Sequence, residues 1–135
     1  MNFQKYEPYR AMILRLFLGL TVLFWGYEKL TLEKLATSYK MDYGSLMMID
    51  VDHFLMLAGG TQILMGVLLI LGLFTRLNAA IAALMGIVTI LIPGFVIMQD
   101  VPHFAYAFTL TGAALALLIE GGGAQSLDQK IFRKA

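Results

Sequence analysis

Two histidines, His53 and His103, stand at the edges of apolar stretches, with Asp50, Asp52 and Asp100 close by in sequence. A second apolar stretch closes on Trp25, Tyr27, Glu28 and Lys29. Histidines and carboxylates are the usual proton carriers near neutral pH. A quinone headgroup needs a donor for each carbonyl and an acid nearby. Trp25, Lys29, Asp52, His53 and His103 are therefore the candidate ligand-binding residues, with quinone as the candidate cofactor. Two histidines on separate helices could also hold a haem iron. That is the less favoured reading, and no metal site is assigned. The same residue types also gather wherever helices meet the membrane–water interface, so the cluster has a plain interfacial explanation too.

Three further polar groups fall inside or at the ends of apolar stretches: Arg15, Gln62 and Glu120. A charge about one turn inside a membrane span is costly and needs a partner, a ligand or a route to the headgroups. Arg15 either snorkels or pairs with Glu120, which is expected at the same membrane level on the last helix. Gln62, mid-membrane, either hydrogen-bonds across helices or touches a ligand. His53 and Gln62 are nine residues apart, about half a rotation on a helix, so they serve different faces. The nine methionines are scattered through apolar segments and read as packing.

Other chemistries are missing. With no cysteine there is no disulfide, thiol nucleophile, thiolate metal ligand or iron–sulfur cluster on this chain. No phosphate loop, dinucleotide fingerprint, HExxH or GxSxG motif occurs. A net charge of +1 gives no footprint for nucleic acid.

The elements that must position these groups are apolar. Of 135 residues, 59% are hydrophobic and 14% charged, against roughly a quarter charged in soluble domains, and mean hydropathy is +0.76. The chain lacks enough polar surface to coat a water-facing globule. Four segments approach the roughly 20 apolar residues that a spanning helix needs: about 11–30, 54–74, 77–98 and 101–119. None alternates as a barrel strand would, and a backbone in lipid must satisfy itself. The expected fold is an all-α, four-transmembrane-helix antiparallel bundle forming one domain over 1–135. Residues 31–53 are its only sizeable loop, and 121–135 form a polar tail that could hold a short surface helix. Thr75-Arg76 reads as a tight turn, which would make the second and third helices a hairpin. Pro93-Gly94 should kink or end the third helix, and Gly121-Gly122-Gly123 should end the fourth. The polar start, Met1 to Tyr9, has no signal-peptide pattern.

Lys5, Arg10, Arg15, Arg76, Lys130, Arg133 and Lys134 fall on one side of this topology, and Lys29, Lys34 and Lys40 on the other. Seven against three places both termini in the cytoplasm of a plasma (inner) membrane protein. The 31–53 loop is then outside. Small residues mark the inner seams: Gly19 and Gly26 with Arg15, Val22 and Lys29; Gly59 and Gly66 with Gln62; Gly86 with Ala79, Ala83 and Ile90; and Ala107 and Ala114 with His103 and Thr111. Leu68, Leu69 and Leu71 are expected to face lipid or a neighbouring subunit.

Three pieces carry a family resemblance. They are Leu14-Arg15-Leu16-Phe17-Leu18-Gly19 with Phe24-Trp25-Gly26-Tyr27-Glu28-Lys29-Leu30, Gly66-Val67-Leu68-Leu69-Ile70-Leu71-Gly72-Leu73-Phe74-Thr75-Arg76, and Gly121-Gly122-Gly123-Ala124-Gln125-Ser126-Leu127-Asp128. In order and spacing the chain resembles the DoxX/DoxD family of bacterial and archaeal membrane proteins over nearly its whole length. The resemblance implies a four-helix bundle and association with redox systems, including quinone-reducing thiosulfate oxidation and membrane oxidoreductase complexes. Two departures stand out: Gln62 where the family often has Glu, and Gly121-Gly122-Gly123 where it often has Gly-Pro-Gly. The first weakens a proton-transfer role at that position. The absence of cysteine argues against a dithiol relay.

The leading expectation is an accessory, non-catalytic membrane subunit of a redox complex. It would bind quinone near the outer face or anchor a membrane or periplasmic catalytic partner. The alternatives are a structural or assembly subunit without a ligand and an oligomeric small-solute transporter; a homo-oligomer is the alternative to a partner subunit. The few polar residues within the spans form no continuous stripe, which counts against the transporter.

Overall fold

The computed structural model describes residues 3–132, with the side chain of His103 excepted, and every regular element among them is helical. A 3-10 turn, Phe3–Tyr9, leads into α1, Arg10–Thr31. Then follow α2, Glu33–Tyr43, and α3, Val51–Leu71. The next helix, α4, covers Thr75–Thr89 and continues as a wider π-helical stretch, Ile90–Ile97. After a 3-10 turn, Val101–Phe104, come α5, Tyr106–Glu120, and a short α6, Leu127–Phe132. Three helical stretches, Phe3–Thr31, Val51–Leu71 and Thr75–Ile97, are long and apolar enough to cross a membrane. Their outward faces carry large apolar side chains such as Phe17, Phe24, Leu64, Leu84 and Phe95, which suits lipid rather than water.

Several expectations need correction. The segment 31–53 is not a loop, because α2 occupies half of it and α3 starts at Val51 rather than Phe54. The fourth apolar helix starts at Tyr106, not Val101, and its 15 residues rise only about 22 Å. Around Pro93 the α-helical ladder does give way, at Thr89, but the helix runs on in π form to Ile97. Proline lacks the amide that would close an ordinary turn, so the ladder widens, and the Met98 amide reaches the Pro93 carbonyl at 2.9 Å. The turn after α3 is Gly72 to Phe74, and Thr75 already belongs to α4. The two arms of that hairpin share few contacts: α3 packs chiefly on α1, and α4 on α5. Leu69 is fully buried rather than facing lipid, whereas Leu71 is exposed.

The α1–α3 seam shows how small residues set the packing. A β-carbon on Gly26 would lie 2.5 Å from the Gly59 carbonyl oxygen, and one on Gly66 would lie 2.7 Å from that of Gly19. The pairs 19/66 and 26/59 have the same sum, as antiparallel neighbours must. Each partner is spaced seven residues along its helix, the repeat that keeps one face turned to a neighbour. Between them lie Val22 and Gln62, both buried. Along the stripes Ala79, Ala83 and Gly86 of α4 and Ala107 and Ala114 of α5 are buried, whereas Lys29, Ile90 and Thr111 are only partly so.

At the other end of the seam the Gly72–Phe74 turn is clasped from two sides. Arg15, 2% exposed, reaches from α1 to the end of α3 and donates from Nη1 to the Ile70 carbonyl at 2.9 Å. A cation there meets the negative end of the helix. Asp128, from α6, accepts the Phe74 amide at 2.7 Å on Oδ1 and the Thr75 amide at 2.8 Å on Oδ2. Its own amide donates to the Gly72 carbonyl at 2.9 Å. Phe74 sits at φ 49, a left-handed conformation that L-residues resist, and Asp128 holds it there. Gly72, at φ 75, lies against the Arg15 guanidinium, where a side chain would not fit.

Candidate functional site

Chemistry-bearing side chains collect at the opposite end, where α1 runs out beneath α2. Lys29 is half-buried. Its ammonium stands 5.9 Å from the centre of the Trp25 ring and 3.5 Å from the Trp25 carbonyl. Among the described residues no carboxylate lies within ion-pair distance of it. The Trp25 ring meets Tyr106 of α5 edge-on, with centroids 5.3 Å apart. From α2, Tyr39 packs 5.0 Å from Tyr43 and 6.4 Å from Phe54. Burial, helped by Tyr43, Tyr106 and Glu28, pushes the Tyr39 phenol up to about 12. Burial, followed by Asp42 and Tyr106, also raises Tyr43. Both phenols therefore stay neutral at physiological pH and can donate a hydrogen bond. Lys29, Leu30, Glu33, Ala36, Asp52 and Leu55 line a depression of ≈ 300 Å³ where α1, α2 and α3 meet.

The expected ligand set is only partly brought together. Lys29 and Asp52 share the depression, and Trp25 lies against Lys29. Asp52 is held by Lys40 at 2.8 Å, a tie between α2 and α3. His53 does not join them: it is 73% exposed and pairs with Asp50 at 3.1 Å. The expected contribution of the His103 side chain lies outside the described residues. No group of His, Asp or Glu side chains suited to a metal ion occurs among the described residues. Gln62 is buried in the α1–α3 seam with no partner for its Oε1, so that oxygen forms no interhelical bond. Glu120 does not meet Arg15. It accepts from Arg10 at 3.1 Å instead, because Arg15 is spent on the α3 carbonyls.

The DoxX family model matches residues 11–97, well over half of the chain. The chain belongs to the DoxX family. No curated protein and no solved structure matches it. It is thus a membrane protein of the DoxX type, with α1 from Ala11 onward, α2, α3 and α4 inside the matched region and Tyr106 and Asp128 outside it.

Sequence reasoning about this DoxX chain missed Tyr39, Tyr43 and Tyr106. The signal was there for the first two, since residues four apart share a helix face, but only if 33–43 is read as a helix. Two pairs at the start of α3, the Lys40–Asp52 tie to α2 and the local Asp50–His53 pair, are pH-sensitive at opposite extremes. The hydrogen bond from His53 keeps the Asp50 carboxyl below its usual range, and Asp52 raises Lys40. A depressed carboxyl contributes stability that is lost as pH falls through its folded pKa. A raised lysine contributes stability that is lost as pH climbs through its own. Amide exchange in residues 44–53, corrected for intrinsic rates, should therefore be slowest between the two titrations. It should rise below about pH 4 and above about pH 10, and a flat profile would contradict these ties.

Proposed function

We propose that this chain is an accessory membrane subunit of a redox complex that receives a quinone-type ring at its outer end, beside Lys29 and Trp25 and beneath α2. The chain would cross the inner membrane four times, with α5 and its preceding turn as the fourth span and both termini in the cytoplasm. The observation that carries this reading is the Lys29 ammonium. It is half-buried against an aromatic face, with no carboxylate at ion-pair distance among the described residues. Its one hydrogen bond among the described residues is the long one to the Trp25 carbonyl, at 3.5 Å, which leaves ammonium donors for a ligand oxygen.

The residues fit such a ligand. Lys29 lines the depression of ≈ 300 Å³, which has room for a single six-membered ring, and would donate to one carbonyl oxygen; Trp25 and Tyr106, packed edge-on, lie outside its lining, with Trp25 against Lys29. Tyr39 would remain a neutral donor at the α2 side. A bound quinone would supply a carrier of two electrons and two protons, while the chain's part is to hold and orient it and to limit water.

Purification with native lipids, followed by solvent extraction and mass analysis, should recover a quinone from the wild type. Lys29→Ala should recover about tenfold less, since a hydrogen bond from a charged donor contributes about 1.5–3 kcal/mol. Equal recovery from both, or none from the wild type, would remove the proposal.

One observation favours a second reading, that of an assembly subunit with no ligand. Arg15, Asn78 and Asp128 at the turn end are all spent on joining helix ends. On that reading Lys29→Ala leaves the activity of the partner complex intact.

A further inference from the structure

The turn end holds a second depression, of ≈ 580 Å³, between the start of α4 and the Gly121–Gly123 bend. Both carboxylates on its wall are already engaged. Glu120 accepts from Arg10, and Asp128 caps the Phe74 and Thr75 amides while its charge faces Arg15. Arg76 is left over. Its guanidinium lies along Gly121 and makes one long contact, 3.5 Å, to the Ile119 carbonyl; no carboxylate reaches ion-pair distance among the described residues. On the floor of the same depression Thr75 is fully buried, and its Oγ1 has no hydrogen-bond partner. The apolar part of the rim is exposed, with Phe74, Leu77 and Phe132, and Phe74 and Phe132 pack at 5.9 Å.

We propose that this depression is a binding site for the phosphate of an anionic lipid headgroup, held by Arg76. Arg76 stands in the first turn of Thr75–Ile97, a stretch long and apolar enough to cross a membrane, and the ends of such stretches are where headgroups are met. A guanidinium offers a planar fork of donors to phosphate oxygens. The apolar rim gives the acyl chains a path down the outside of α4 and α5. A soluble anion would gain nothing from that rim, so the lipid is the committed ligand.

The full-length protein is exchanged into mixed micelles of phosphatidylglycerol and phosphatidylcholine, and retained lipid is read by native mass spectrometry. The wild type should prefer phosphatidylglycerol. Arg76→Gln should lose about fivefold of that preference, the worth of one interfacial cation, and Arg76→Lys, which keeps the charge without the fork, should fall between that variant and the wild type. Lys5→Gln removes the same charge elsewhere on this end and should change nothing. Equal loss in Lys5→Gln would reduce the effect to diffuse surface potential and overturn the site. So would absence of preference in the wild type, or complete displacement by millimolar inorganic phosphate. Should Arg76→Gln fail to fold, the guanidinium resonance of Arg76 in the wild type reads the same contact. It should shift with phosphatidylglycerol and stay still with phosphatidylcholine, and no shift with either would overturn the proposal.

Discussion

Gly26→Ala should break the α1–α3 seam, while Gly60→Ala should leave the protein at least as stable as the wild type. On Gly26 the new methyl would lie 2.5 Å from the Gly59 carbonyl oxygen and 2.8 Å from the Ile63 amide nitrogen, both backbone atoms that cannot swing aside. The helices must separate along the seam, and overpacking of this kind costs about 1–3 kcal/mol, with the upper end expected where only backbone can yield. Gly66→Ala meets Leu23 Cβ at 2.6 Å and the Gly19 carbonyl oxygen at 2.7 Å and should behave alike. Gly60 is one residue from Gly59, yet a methyl there has nothing within 4 Å. It gains helix propensity of up to about 1 kcal/mol. Denaturant titration in micelles separates the two outcomes. Similar losses at Gly26 and Gly60 would mean that helix flexibility, not close approach, is what the glycines supply.

The second large effect is expected at Asp128. Its carboxylate accepts two backbone amides at the start of α4, and a hydrogen bond to a charged group contributes about 1.5–3 kcal/mol. Asp128→Ala should therefore cost on the order of 3 kcal/mol or more. It also removes the support that keeps Phe74 left-handed and the counter-charge facing Arg15. The loss should not stay local. Contacts between α3 and α4 are sparse, so the clasp on their turn is a main tie between the α1–α3 pair and the α4–α5 pair. Limited proteolysis of Asp128→Ala should cut first between Leu71 and Arg76. Asp128→Asn keeps one acceptor and should fall between wild type and alanine. An Asp128→Ala protein as stable as the wild type would show that α6 merely rests on the turn.

What could be read from the sequence follows from how local each signal is. Apolarity located the helices at α1, α3 and α4 to within about three residues, because a spanning helix needs one continuous run. The small-residue stripes located the seams, since only those positions allow backbones to touch. Arg15 was marked as costly by depth alone, but its partner was not legible. Pairing it with Glu120 assumed that a buried cation seeks a carboxylate. The carbonyls at the end of α3 serve instead, and they come into range only because the turn falls at Gly72 rather than Thr75. Helix pairing was illegible for a related reason: a short connection brings two ends together without pressing two lengths together. The cluster where α1, α2 and α3 meet was half legible. Lys29, Trp25 and Asp52 were named from type and position, whereas Tyr39 and Tyr43 were hidden by taking a polar, weakly amphipathic helix for a loop.

The chain has a single tryptophan, Trp25, in contact with Lys29. Titrating the protein in lipid nanodiscs with a short-chain benzoquinone while following its fluorescence therefore reads the proposed ligand site directly. Saturable quenching is expected in the wild type, weakened about tenfold in Lys29→Ala and unchanged in His53→Ala. Quenching that rises without saturation, or that is identical in wild type and Lys29→Ala, would contradict a quinone site at this position.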